Sequence, residues 1–238
     1  MARAQEAGRR SRARRGGGRV RRGGAPTRPG GDRARWDARY GESGGALLFG
    51  TDAAPLLERV ARWLPRRGRA LDLACGEGQN AVWLAARGLD VTGLDVSPVA
   101  VARARALARQ RGVRLAARVA DLARRGPRRG WYDVVTCFHF LDRRLVPAMA
   151  AALRPGGVVV VEVATVRNLR LHPRPGRRYC LEVGELAGWL PGFATLLSRE
   201  GLMAGHEQAQ LVARKPATAA GRSRAPAPRT PRRPRRPR

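Results

Sequence analysis

Between residues 52 and 213 the apolar positions switch repeatedly between a helical spacing and a strand spacing. Leu56, Leu57, Val60, Ala61 and Leu64 lie on one stripe of a predicted helix over 52–64, which Pro65 closes. Residues 70–74 form a short apolar strand, 79–87 a helix stopped by Gly88, and 91–95 the next strand. Ser97 and Pro98 supply an N-cap and a first-turn proline for a helix running to about Gly112. Further strands are predicted at 113–119 and 132–137, and 158–163 reads as a valine run covered on both faces. A helix around 143–153 tolerates Pro147 only near its first turn. Residues 184–190 form a short helix ended by Pro191 and Gly192, and 194–198 pairs antiparallel with 209–213. This alternation predicts an α/β fold, a doubly wound, mostly parallel sheet with helices on both faces. Ligands of such sheets lie beyond the carboxyl ends of the strands, where strand order reverses.

The flanks change the picture. The 238 residues hold 48 Lys and Arg against 18 Asp and Glu, a formal net charge of +30. Residues 1–35 contribute twelve basic and two acidic side chains, and residues 213–238 ten basic and none acidic. Both stretches have almost nothing to bury. They are expected to be disordered tails, the first Arg/Gly-rich and the second Pro/Arg-rich, around one domain at 36–212. Lys215 is the only lysine, so arginine dominates tails and domain alike. A coding bias explains that better than any one binding site.

Three cysteines, Cys75, Cys137 and Cys180, lie far apart without a CxxC pair, which excludes a disulfide framework and a zinc ribbon. No apolar run approaches the ~18 residues of a membrane span. The N-terminus shows arginine pairs without a following apolar stretch, unlike a secretory signal. The expectation is a soluble, cytoplasmic protein.

The chemistry concentrates after the first strand. Gly76 and Gly78 let the backbone turn sharply and approach a ligand, with a helix N-terminus beyond. Asp95, 19 residues past Gly76, ends the second strand where a ribose would be held, facing a cleft rather than the core. Gly76-x-Gly78-x-x-Ala81 also satisfies the dinucleotide fingerprint, so NAD stays open on the motif alone. Three carboxylates argue against it. Asp72 inside the strand and Glu77 inside the loop would repel a pyrophosphate and attract an amino group or sulfonium. Asp121, after the third strand, suits the exocyclic amine of an adenine.

Residues 36–213 resemble a class I S-adenosylmethionine-dependent methyltransferase, nearest the tellurite-resistance and thiopurine methyltransferase-like branch. The resemblance rests on WDARY at 36–40, LFGTDAAP at 48–55, ALDLACGEGQNAVWLA at 70–85, VTGLDVSP at 91–98, YDVVTCFHFL at 132–141 and LRPGG at 153–157. It implies a Rossmann-like seven-stranded sheet with an antiparallel last strand, and S-adenosyl-L-methionine as cofactor. It implies further that Asp72, Gly76 and Gly78 surround the methionine part and that Asp95 takes the ribose hydroxyls. Asp121 and Leu122 would contact the adenine, Cys137 would line the floor below the sulfonium, and Trp36 and Tyr40 would close over the cofactor. Plain packing of an N-terminal helix is the other account of those two aromatics.

The acceptor side is less legible. In-line methyl transfer requires alignment above all, and a general base only for acceptors not already anionic. His139, just past the fourth strand, is either that base or a packing residue between Phe138 and Phe140. Cys137 has no preceding proline of the kind that marks cytosine-C5 nucleophiles, and the strand lacks the Asn/Asp-Pro-Pro-Tyr/Phe end of base-methylating enzymes. In the resembling family the basic stretch 167–180 helps build the acceptor pocket, which makes Arg177, Arg178 and Tyr179 candidates for an anionic acceptor; a solvated basic loop in an arginine-rich chain is the other account of them. His172 and His206 have no metal-ligand companions at useful spacing, so no metal is expected. The leading reading is an enzyme methylating a small-molecule acceptor. The alternative is a nucleic-acid-associated protein, an RNA methyltransferase or an inactive binder, whose tails attract phosphate without sequence preference. A NAD-dependent oxidoreductase comes third.

Overall fold

The valine run lies in β5 (Leu153–Ala164), where alternate side chains enter two different cores. Val159, Val161 and Val163 pack with Leu71, Leu73, Met149 and Leu181; Val158 and Val160 pack with Leu57, Val60, Leu84 and Val134. That period of two requires an extended chain covered on both faces. The structure, a computed structural model, describes residues 31–217 apart from 45 and 125.

The other strands are β1 (Arg69–Leu73), β2 (Asp90–Asp95), β3 (Leu115–Val119), β4 (Tyr132–Phe138), β6 (Ala194–Met203) and β7 (His206–Arg214). They form one seven-stranded sheet in the order β3-β2-β1-β4-β5-β7-β6. The first five strands pair in parallel, and β7 runs antiparallel to both β5 and β6. Strand order reverses between β1 and β4, so the crevice opens beyond the ends of those two strands.

The helices are α1 (Gly31–Gly41), α2 (Pro55–Val60), α3 (Gln79–Ala86), α4 (Pro98–Gln110) and α5 (Val146–Ala152). α4 starts as its sequence predicts: Pro98 opens it and the Ser97 hydroxyl accepts the Ala100 N–H at 3.1 Å. The single lysine has a local reason. Lys215 Nζ donates to the carbonyls of Ala150 and Leu153 at 2.8 and 2.7 Å, closing the C-terminal end of α5 with a compact cation.

Three expectations change. α1 starts at Gly31, inside the stretch read as N-terminal tail, and β7 runs past 213 to Arg214. The remaining tail positions, 1–30 and 218–238, lie outside the described residues. The helix expected at 184–190 is a single 3-10 turn, Leu186–Gly188, since Gly184 and Gly188 leave too little helix-favouring sequence between them. No helix of the described residues is long and apolar enough to cross a membrane.

Candidate functional site

β1 ends in a loop that the neighbouring strand holds in place. Cys75 N–H donates to Leu94 O at 3.0 Å, Gly78 N–H to Cys75 O at 3.0 Å, and Val82 N–H to Gly78 O at 2.8 Å, where α3 begins. Gly78 has φ +90, and a Cβ there would meet the Ala104 Cβ at 2.7 Å, so any side chain would push α3 off α4. Gly76 has φ +52 and lies under the Tyr40 hydroxyl, 3.1 Å from where a Cβ would sit.

Two carboxylates back this loop. Asp95 Oδ2 accepts the Gly76 N–H and Oδ1 the Ser97 N–H, each at 2.9 Å. The residue is only 7% exposed, and burial raises its pKa against those backbone bonds. Asp95 is therefore part of the packed structure as well as of the crevice wall, contrary to its sequence reading. Asp72 lies beside Thr136 in the β1–β4 register, and the Thr136 hydroxyl donates to its Oδ1 at 2.7 Å. Its Oδ2 is buried with no hydrogen-bond partner. Burial pushes its pKa up to about 7, against the opposing influence of the Thr136 hydroxyl.

Glu77 behaves differently from its sequence reading. Fully buried, it accepts Arg103 Nη1 at 2.8 Å and the Leu48 and Phe49 N–H groups at 2.7 and 3.3 Å. Its charge is spent on the 43–49 segment. The same Arg103 donates to Ser43 Oγ and to the Tyr40 and Ala46 carbonyls, fastening the end of α1 to α4. α1 is also tied by the Ser97 hydroxyl, which donates to Asp37. Trp36 stacks on Tyr40 at 5.6 Å, and burial followed by the charges of Asp95 and Glu77 drives the Tyr40 phenol pKa upward.

Asp121 joins this end of the sheet because Ala120 N–H donates to Asp95 O at 2.7 Å. Its carboxylate caps its own turn, accepting the Ala123 N–H at 3.0 Å, with Arg124 3.3 Å away. Leu122 is buried in the core beside it. Cys137 pairs with Leu73 across β4 and β1; burial and then Asp72 push its thiol up to about 12, which makes it an inert wall.

On the acceptor side, His139 leaves β4 with a left-handed φ of +55 and an imidazole that is 64% exposed, so it is not a packing residue between two phenylalanines. Its N–H donates to Glu162 O at 2.8 Å, and its Nε2 lies 3.7 Å from Glu162 Oε1. Sequence reasoning missed Glu162. The available signal was the one carboxylate interrupting the run at 158–163. Tyr179 sits in a 3-10 turn, Arg177–Tyr179, that reaches α1: its hydroxyl accepts from Arg35, whose guanidinium lies 4.7 Å from the ring, and Arg178 stacks at 4.6 Å. Arg177 is drawn outward to Glu182 at 2.8 Å. Among the described residues no group of three or more His, Cys, Asp or Glu is arranged to hold a metal ion.

Residues 70–157, from β1 into β5 and including the glycine loop, match the family described as a methyltransferase domain. The match is confined to this segment, which holds the glycine loop and the first five strands. The methyltransferase segment is 38% identical over 103 residues to a ubiquinone biosynthesis O-methyltransferase of Marinobacter nauticus, an alignment covering 39% of this chain and 42% of that protein. A ubiquinone biosynthesis O-methyltransferase of Xanthomonas euvesicatoria is 32% identical over 158 residues, 56% of this chain and 65% of the relative. The chain thus spans between about two fifths and two thirds of these relatives. In fold, the chain is similar to an S-adenosylmethionine-dependent methyltransferase from Mesorhizobium loti, with TM-score 0.55 and 23% identity over 70% of this chain and all of that one. These matches support the class and do not single out the tellurite-resistance and thiopurine branch.

Proposed function

We propose that this methyltransferase moves the methyl group of S-adenosyl-L-methionine to a small-molecule acceptor. The observation that carries the reading is the Asp72 carboxylate, buried below the glycine loop with Oδ2 unpartnered. An orphaned buried carboxylate oxygen is costly and calls for a cationic hydrogen-bond donor such as an α-ammonium. The residues fit the cofactor in two further respects. Gly76 and Gly78 expose backbone where side chains cannot stand, and Asp95 keeps acceptor capacity for a diol beside its two backbone bonds. Asp72, Gly76 and Gly78 would hold the methionine part, Asp95 the ribose, and Asp121 and Leu122 the adenine. Cys137 would form the floor, and Trp36 and Tyr40 the cover.

When bound, the cofactor supplies an electrophilic methyl group on a sulfonium. The chain's own task is then to align an acceptor with it and keep water out. α1 and the Tyr179 turn, which meet through Arg35, support that exclusion. His139 would serve as the proton acceptor, and Arg178 with Tyr179 would contact the acceptor. The O-methyltransferase names of the relatives support a small acceptor. Three free, buried cysteines support a reducing, cytoplasmic setting. The arginine-rich ends support an additional, sequence-indifferent attraction to nucleic acid.

Calorimetry tests the cofactor: S-adenosylhomocysteine should bind and NAD should not. Release of S-adenosylhomocysteine is then followed over a panel of phenols, thiols, amines, carboxylates and metalloid oxyanions. Tight NAD binding without binding of the sulfur ligand would overturn the reading.

A further inference from the structure

We infer that the end of the domain opposite the crevice is a docking face for duplex nucleic acid, which it holds by the phosphate backbone. The inference goes beyond the methyl-transfer reading and makes no use of the cofactor site. It starts from topology: the connections that enter β1 to β5 and the exit of β7 meet at one end of the sheet. Residues 61–69, 87–90, 109–114, 128–131, 152–157 and 214–215 make up that end, and they hold thirteen basic side chains against the single carboxylate of Asp90. The crevice end is balanced. Its segments, 74–80, 95–97, 120–124, 139–145, 165–186 and 204–207, hold eight arginines and seven carboxylates. A coding bias toward arginine explains the residue type and not this division, since it acts at both ends alike.

Pairing follows the same division. At the crevice end Arg124, Arg143, Arg144 and Arg177 each meet a carboxylate within 3.3 Å. At the opposite end, among the described residues, only Arg154 does, on the buried Asp133. Arg69 and Arg128 lie 3.9 and 3.3 Å from the centre of the Trp131 ring, and Arg62 lies 4.6 Å over Trp63. An arginine stacked on an indole keeps its N–H edge for an anion and has given up part of its freedom beforehand. Arg66, Arg67, Arg129 and Arg214 are exposed and have no side-chain partner among the described residues. Arg62, Arg154 and Arg214 line a groove of about 330 Å³ beside Gly156.

Unpaired charge of one sign at this density attracts polyanions and releases their counterions. Phosphate is the anion that the guanidinium fork fits. The apolar anchors that a membrane surface would take are elsewhere: Phe49, Val119, Leu171, Val183 and Leu202, the exposed large apolar side chains among the described residues, lie outside these segments. Single strands are bound by stacking their bases on open aromatic rings, and Trp131 already carries two guanidiniums. A duplex presents phosphates and keeps its bases inside, which suits a face of arginines. β4 (Tyr132–Phe138) separates this face from the crevice by roughly 20 Å, so the duplex lies away from the methyl-transfer site and is not its acceptor.

The test uses the full chain, so that the arginine-rich ends stay constant, and a labelled DNA duplex of arbitrary sequence. R129E/R214E reverses two charges on the face, and R118E/R199E reverses two on the outer strands β3 and β6, giving the same net charge. At matched ionic strength the face variant should lose at least ~10-fold in affinity, and its slope of log affinity against log salt should flatten by about 2. The outer-strand variant should lose clearly less. Should R129E/R214E fail to fold, R66E set against R118E carries the comparison. S-adenosylhomocysteine affinity should be the same with and without saturating duplex. Equal losses in the two variants would assign the binding to overall charge or to the ends and overturn the inference. So would tighter binding to a single strand of equal length, tighter binding to vesicles of anionic lipid, or displacement of the duplex by S-adenosylhomocysteine.

Discussion

Asp72 and Thr136 face each other across β1 and β4, and the threonine hydroxyl satisfies one carboxylate oxygen at 2.7 Å while the other is left without a partner. The pair has consequences for pH dependence. With its pKa pushed up to about 7, Asp72 holds a proton in the folded protein that the unfolded chain releases near the usual 3.8. Stability from this group is therefore present below about pH 4 and is lost as the pH rises toward 7.

A ligand bearing an ammonium group reverses the preference. S-adenosylhomocysteine binding should release a proton below pH 7, and its affinity should rise with pH up to about 7. Calorimetry in two buffers of different ionisation heat measures that proton. Asp72→Asn should remove both the pH dependence of affinity and this group's share of the stability slope.

Asp95→Ala should affect two properties together. It removes a ribose acceptor, expected to weaken S-adenosylhomocysteine binding at least ~10-fold. It also frees the Gly76 and Ser97 N–H groups, which should cost about 2 kcal/mol in urea unfolding. Full stability with lost affinity would show that the loop stays closed without this carboxylate.

Arg103→Ala should loosen the segment that covers the loop. The guanidinium is the cationic partner of a fully buried Glu77 and joins Tyr40, Ser43 and Ala46. Breaking such a pair while leaving the carboxylate buried should cost roughly 3 kcal/mol. Proteolysis near 41–49 should accelerate, and Glu77→Gln introduced alongside should recover part of the loss.

Ala204→Asn should stabilise the protein. The two-residue turn between β6 and β7 has φ +49 at Ala204 and +80 at Gly205, the signs of a type I′ turn. Alanine is strained there and asparagine is favoured, so a gain of about 1 kcal/mol should appear as a higher unfolding midpoint.

The full chain should bind heparin or duplex DNA of any sequence, with log affinity falling linearly against log salt. A marked preference for one RNA sequence would favour the nucleic-acid reading over adventitious attraction.

Local patterns carried much of the architecture. Alternating apolar periods located β1 to β5 and the helices between them, because each element's buried face repeats along its own chain. Ser97-Pro98 marked the start of α4, and the Gly76 and Gly78 positions were legible because backbone approach demands glycine wherever the chain later goes. Contacts between distant segments were not legible. Asp72 meets Thr136 across 64 residues, Glu77 turns to Arg103 and to the 48–49 backbone, and Tyr179 reaches Arg35 across 144 residues. A carboxylate reads the same in sequence whether it lines a crevice or neutralises a buried arginine. Only the packing of α1 and α4 decided that Glu77 is structural, and only the adjacency of β4, β5 and β7 set His139, Glu162 and Gln210 together. Sheet order and register are decided by side chains meeting across the whole domain, and these set Glu162 of one strand beside the His139 ring at the end of another.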